Sequence, residues 1–213
     1  MLDKTIQKRL CSQDRGPMHH NTKSPRSPKL DRRAELLKVS REIMAEKGYE
    51  ATTVSAIVAR AGVAQGTFYW YFPSKASIVK ALTVEMQDEV QAALTAAFMV
   101  SESLDRKIER SIRDIFAILS SYHDVLVLSR LIDSASGNEF VFAPYHRLIA
   151  ELLHHEQERG TITGSIDPDI AAELIVGTVY YANLQCYVYH STLPVEKYIA
   201  GTSQFVRQAL GLI

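Results

Sequence analysis

Cysteine is nearly missing from this chain. Cys11 and Cys186 are the only two in 213 residues, and they lie in unrelated contexts, so neither a disulfide framework nor a thiolate zinc site can be built from them. Glycine and proline are also scarce, at ten and seven residues. That is too few turn formers for a many-stranded β architecture, and helices become the expectation. No apolar run of signal-peptide length follows Met1, which predicts a cytoplasmic protein. The best candidate for a membrane span, residues 169–189, is interrupted by Glu173, Asn183 and Gln185 and reads instead as a helix buried on most sides. Catalytic fingerprints are absent too: there is no nucleophile elbow, phosphate-binding glycine loop, dinucleotide motif or HExxH. No cofactor is expected. Nor is a metal, because His146 and His154 stand eight positions apart, too far along a helix to share one ion.

What the chain does have is segregated charge. Its net charge is zero, yet residues 1–76 hold 14 Lys and Arg against 7 Asp and Glu, while the remaining 137 hold 10 against 17. A basic head on an acidic body suits a nucleic-acid partner, since phosphate neutralisation supplies most sequence-independent affinity. Much of the excess comes from residues 1–29, with seven basic and two acidic side chains and no apolar periodicity. This stretch reads as a disordered basic tail, either an arm that tracks DNA or a solvated segment.

From Asp31 the pattern changes. Leu36, Val39 and Ile43, with Leu37 and Met44 one step around, recur at helical spacing up to the glycine of "EKGYE", predicting a helix over about 31–47. Thr52 or Thr53 then caps "VSAIVARA", Gly62 closes that short helix, and "QGTFYWYF" forms a second one stopped by Pro73. Helix, glycine-containing turn, helix is the helix-turn-helix signature. Ser74 caps a long fourth helix to about residue 100. Further helices are expected up to Tyr122, over 124–135, over 138–160 with Pro144 kinking its first turns, over 168–190 and over 195–210. The expectation is an all-α chain of about nine helices. It comprises the tail (1–29), a three-helix DNA-binding head (30–76) and a helical ligand-binding and dimerisation body (77–213).

Five aromatic residues in a row occupy positions 68–72. On a helix, Phe68 and Phe72 share one face and can pack the head. Gln65 and Tyr69 share another, with Gly66 and Trp70 beside them and Thr67 and Tyr71 at its edges. That second face suits a duplex. Gln pairs bidentately with adenine, a Thr methyl meets the thymine methyl, and Tyr and Trp donate to phosphate. Gly66 lets the backbone come close to a groove.

Residues 48–82, "GYEATTVSAIVARAGVAQGTFYWYFPSKASIVKAL", resemble the DNA-binding domain of the TetR family of bacterial transcriptional regulators. The Ala-Gly-Val turn, Gly-Thr, the Tyr-x-x-Phe pair and the Lys after the proline sit at the family's spacing. The resemblance implies that Gln65, Gly66, Thr67 and Tyr69 face bases, and that Thr53, Trp70, Tyr71 and Lys75 hold phosphates. Lys75 also stands in the first turn of the fourth helix, where free N–H groups and the dipole favour an anion. Two positions depart from the family pattern: Ala64, where a hydroxyl residue often caps the recognition helix, and Tyr71, where histidine is frequent. The resemblance further implies a repressor bound as a homodimer to palindromic double-stranded operator DNA. A small-molecule effector would release it by shifting the fourth helix.

In the body, Tyr122, His123, Tyr145, His146, Tyr180, Tyr181, Asn183 and Tyr187 are the pocket candidates. Aromatics with a few polar groups are what a small apolar or aromatic effector requires between helices, although the same residue types also serve packing and dimer contacts. The helix over 168–190 is apolar nearly all round, and the last helix carries Val195, Tyr198, Ile199, Thr202, Phe205 and Val206 on one side. Those two helices predict a homodimer through a four-helix bundle. The rival readings are a helical enzyme or scaffolding protein whose head only packs, and a regulator without a ligand response. Binding to duplex DNA separates the first of these from the regulator.

Overall fold

The computed structural model describes residues 28–128, 143–162, 165–189 and 191–212. The expected tail up to residue 27, the end of the helix expected over 124–135 and the start of that expected over 138–160 lie outside these residues.

Helix α1 (Pro28–Ala51) begins before Asp31 and buries Leu36, Leu37, Val39, Ile43 and Met44. Gly48, at φ 77° and ψ 164°, breaks its regular geometry where the glycine was expected to end it. A side chain there would strain the backbone. Helix α2 (Val54–Ala61) starts on Thr53, whose hydroxyl accepts from the Ala56 N–H at 3.1 Å, and stops on Gly62 in the left-handed region. Helix α3 (Gln65–Tyr71) ends at Phe72, the residue before Pro73. Helix α4 (Lys75–Met99) opens with a capping box in which Ser74 and Ser77 exchange hydrogen bonds. Its buried stripe runs from Ile78 to Phe98, so one helix packs against both α1 and the body.

The body adds α5 (Leu104–Ser120), a helical segment over 123–128, α6 (Ala143–Glu158), α7 (Pro168–Tyr187) and α8 (Val195–Ala209). Pro144 sits in the first turn of α6, where its missing N–H costs nothing. Asp167 caps α7, with Pro168 at its first position. Helix α5 packs on α4, α7 and α8, and α6 packs on α7. Among the described residues every regular element is a helix, and the fold is the expected all-α one. No described helix is long and apolar enough to cross a membrane.

Two sequence expectations change. Helix α7 is not buried on most sides: Ile170, Leu174 and Tyr181 are 56%, 57% and 60% exposed. The stripe expected on α8 splits, because Ile199, Thr202 and Val206 turn into the chain's own core while Phe205 stays 57% exposed.

Candidate nucleic-acid interface and body cavity

Helix α3 is anchored by two rings. Phe68 is fully buried, Phe72 nearly so, and their centroids lie 5.9 Å apart. Burying each ring stabilises the head by about 2 kcal/mol. Fixing that face turns the other outward: Gln65 and Gly66 are exposed, and Tyr69 and Trp70 are 48% and 65% exposed. Thr67 and Tyr71 are half-buried, and Tyr71 meets Trp70 edge to face at 4.5 Å. A Cβ added at Gly66 would meet no protein atom within 4 Å. Packing within the chain therefore does not demand glycine there. Ala64 makes no side-chain cap bond to α3.

Thr53 and Lys75 are placed less freely than the sequence suggested. The Thr53 hydroxyl is engaged as the cap of α2. The Lys75 ammonium donates 2.8 Å to the Tyr49 carbonyl and lies 3.9 Å from the Tyr49 ring centroid, so it ties the start of α4 to the end of α1. An Arg60–Glu46 pair, with two hydrogen bonds of 2.8 Å, fixes α2 to α1.

Inside the body an apolar cavity of about 80 Å³ lies among α4, α5, α6, α7 and α8. Aliphatic side chains such as Val90, Leu94, Ile108, Ile112 and Val179 line it, together with Phe98. Of the eight pocket candidates, Tyr145 and Tyr180 are on its wall. The Tyr145 hydroxyl donates 2.9 Å to the Gln87 carbonyl of α4, and burial pushes its pKa up, so it stays a donor.

The other six serve elsewhere. Tyr122, buried, joins Arg41, Glu85 and Glu89 where α1, α4 and the end of α5 meet. Asn183 is buried and donates to the Val179 carbonyl, while Tyr187 donates to the Phe116 carbonyl. His123 sits 3.3 Å from the Ser120 carbonyl, and His146 is half-buried on α6. Tyr181 points outward, beside a shallow depression lined by Leu174, Gly177 and Tyr198. The residues missed as cavity lining are the α5 set Leu104, Ile108, Ile112, Ile115 and Leu119. Their spacing of three and four was visible, but it marks any buried helix face, cavity or not.

A helix-turn-helix head whose second short helix bears exposed polar and aromatic groups, set on a helical body with an apolar cavity, is the architecture of a transcriptional regulator. The comparisons agree. The family model for bacterial regulatory proteins of the tetR family matches residues 36–82, and that for the tetracyclin repressor-like C-terminal domain matches residues 108–210. The chain is 25% identical over 182 residues to the HTH-type transcriptional regulator YvdT of Bacillus subtilis (strain 168), covering 83% of this chain and 94% of that protein. It is 30% identical over 153 residues to the HTH-type transcriptional repressor KstR2 of Rhodococcus jostii (strain RHA1), covering 70% and 74%. The fold matches a crystal structure of the transcriptional regulator FadR from Bacillus subtilis in complex with stearoyl-CoA. That match has a TM-score of 0.62 at 20% identity, over 84% of this chain and 98% of that one. The chain belongs to the TetR family of bacterial regulatory proteins: it is a transcriptional regulator and not an enzyme.

Proposed function

We propose that this chain is a homodimeric repressor that holds a palindromic operator through α3 and lets go when an apolar effector occupies the body cavity. The observation that carries the reading is the two-sided recognition helix. Phe68 and Phe72 hold it from behind, and Gln65, Gly66, Tyr69 and Trp70 stand exposed in front. Gln65, Gly66, Thr67 and Tyr69 contact bases, whereas Thr53, Trp70, Tyr71 and Lys75 contact the backbone. Residues 30–76 are the DNA-binding head and residues 77–213 the effector and dimerisation unit. The exposed Ile170, Leu174, Tyr181 and Phe205 support dimerisation through α7 and α8, where a two-fold axis would build a four-helix bundle.

The aliphatic cavity lining, and a relative crystallised with stearoyl-CoA, support an acyl-like chain as the apolar part of the effector. The cavity as it stands is too small for one, so binding must push its walls apart. Helix α4 is one of those walls, and Val90 on it directly follows Glu89, which is tied through Tyr122 and Arg41 to α1 of the head. A ligand that favours the swollen body shifts the population of head positions by its differential affinity.

The test is binding to duplex DNA from the region upstream of the chain's own gene, followed by fluorescence anisotropy across a salt series. Tight binding with a steep salt dependence, lost in Gln65→Ala and Tyr69→Ala variants that keep their helical circular dichroism, is the expected result. Variants that bind as tightly as the parent would remove α3 from the interface.

A further inference from the structure

The wall of the body cavity presents no polar surface. Ser111 and Tyr145, which stand on it, have turned their hydroxyls into hydrogen bonds with the backbone. Ser111 donates 2.8 Å to the Lys107 carbonyl, and Tyr145 donates 2.9 Å to the Gln87 carbonyl. The first bond stays within α5. The second crosses from α6 to α4, and Tyr145, buried at 3% exposure, makes it while its ring remains part of the wall. One side of this residue meets whatever fills the cavity, and its tip holds α4.

The place it holds is the one that matters for the head. Gln87 lies between Glu85 and Glu89, each 3.3 Å from the Arg41 guanidinium of α1, and Glu89 also takes the Tyr122 hydroxyl at 2.7 Å. Three residues further on, Val90 is on the cavity wall. Within Glu85 to Val90, about 7.5 Å of helix at 1.5 Å per residue, α4 carries its ties to the head, its tether to α6 and a piece of the wall. Inside the helix the Gln87 carbonyl also accepts from the amide four residues on. The tether therefore uses its second lone pair, and breaking it frees α4 to shift without unwinding it.

We propose that Tyr145 is the positioning residue through which the body cavity controls the head: its hydroxyl holds α4 in the operator-binding position while the cavity is empty, and a ligand that displaces its ring releases that hold. This rests on the reading that the cavity is the effector site of a repressor. It also defines the class of ligand that works the device. A wall without polar surface favours hydrocarbon and penalises any unpaired polar group, so the enclosed part of the effector has nothing with which to compete for the Tyr145 proton. It acts by the volume it occupies.

The probe is decan-1-ol, an uncharged straight chain, and the DNA is a duplex selected from a random pool by the parent chain. Tyr145→Phe keeps the ring on the wall and deletes the tether. Without ligand its operator affinity is expected to fall about fivefold, the worth of one neutral hydrogen bond, while helical circular dichroism and sedimentation match the parent. Decan-1-ol is expected to weaken operator binding by the parent about tenfold, and to weaken that of Tyr145→Phe by a smaller factor, because the step it drives has already been taken. By reciprocity, calorimetry without DNA should show Tyr145→Phe binding decan-1-ol at least as tightly as the parent does. A tyrosine that only packs would lower the urea midpoint in Tyr145→Phe and leave both the DNA affinity and the response to decan-1-ol as in the parent, which overturns the proposal. A reduced affinity with an unchanged fold response overturns the tether and leaves the cavity as the effector site. Should Tyr145→Phe not fold, Tyr145→Met carries the same comparisons. If decan-1-ol does not bind the parent, or binds and leaves the DNA complex intact, the effector site and the tether both fall. A parent that selects no duplex overturns the repressor reading itself.

Discussion

The guanidinium of Arg41 donates to the hydroxyl of Tyr122 and lies over its ring, 4.9 Å from the centroid. The two residues are far apart in sequence, one on the helix that backs the DNA-binding head and the other just after α5. Between them stand Glu85 and Glu89 of α4, each 3.3 Å from Arg41, with Glu89 also 2.7 Å from the Tyr122 hydroxyl. Burial first, then the hydrogen bond to Glu89, push the Tyr122 pKa up, so the phenol remains a proton donor at any physiological pH.

Tyr122→Phe keeps the ring and deletes the atom on which the cluster converges. Arg41 and the two carboxylates are partly exposed, and water will satisfy some of what they lose. The expected cost is about 1–2 kcal/mol, read as a lower urea midpoint with an unchanged denaturant slope. A midpoint equal to the parent's would mean that the cluster contributes nothing to stability.

Gly66→Ala separates folding from recognition. The added methyl meets nothing in the free protein, and alanine in place of glycine within a helix adds up to about 1 kcal/mol. Thermal unfolding of the free chain should shift upward. If Gly66 lies against the groove, operator affinity should fall at the same time. Stabilisation with full DNA affinity would show that the face is not that close to DNA.

Lys75→Met removes the ammonium that spans from α4 to the Tyr49 carbonyl. The apolar stem can stay in place, so the loss is the hydrogen bond and the ring contact, about 1–2 kcal/mol together. Urea unfolding of the free chain should show it, and operator binding should lose one unit of salt dependence. A loss seen only in DNA binding would mean that the Tyr49 contact is incidental.

These residues also show where reading a sequence succeeds. The two faces of α3 follow from the helical period alone, because Phe68 and Phe72 are apolar and four apart whereas Gln65 and Tyr69 are not apolar in the same way. Lys75 was legible as a helix-start residue, but its partner was not. The Tyr49 carbonyl comes within reach only because Gly48 turns the end of α1. Residue type alone points Tyr122 and Asn183 at the pocket but carries no direction: the Tyr122 hydroxyl meets Glu89 of α4, and Asn183 bonds back to the Val179 carbonyl of its own helix. The cavity itself depends on gaps between five helices, and no single helix's pattern records a gap.

The proposed dimer face provides the last test. Ile170, Leu174 and Tyr181 recur along one side of α7, and Phe205 of α8 stands with them in exposure. Gly177, also exposed and with open space around it, sits midway along that stripe. Exposed apolar side chains along one helix face suit a partner surface. Leu174→Asp would put a charge in the proposed interface, where two-fold symmetry would present the change twice, once from each copy. In the monomer the same aspartate is solvated, so helical circular dichroism should be unchanged. Sedimentation should show the parent as a dimer and the variant as a monomer, and operator affinity should drop steeply because each head then binds its half-site alone. A Leu174→Asp chain that still sediments as a dimer would move the interface off this face of α7.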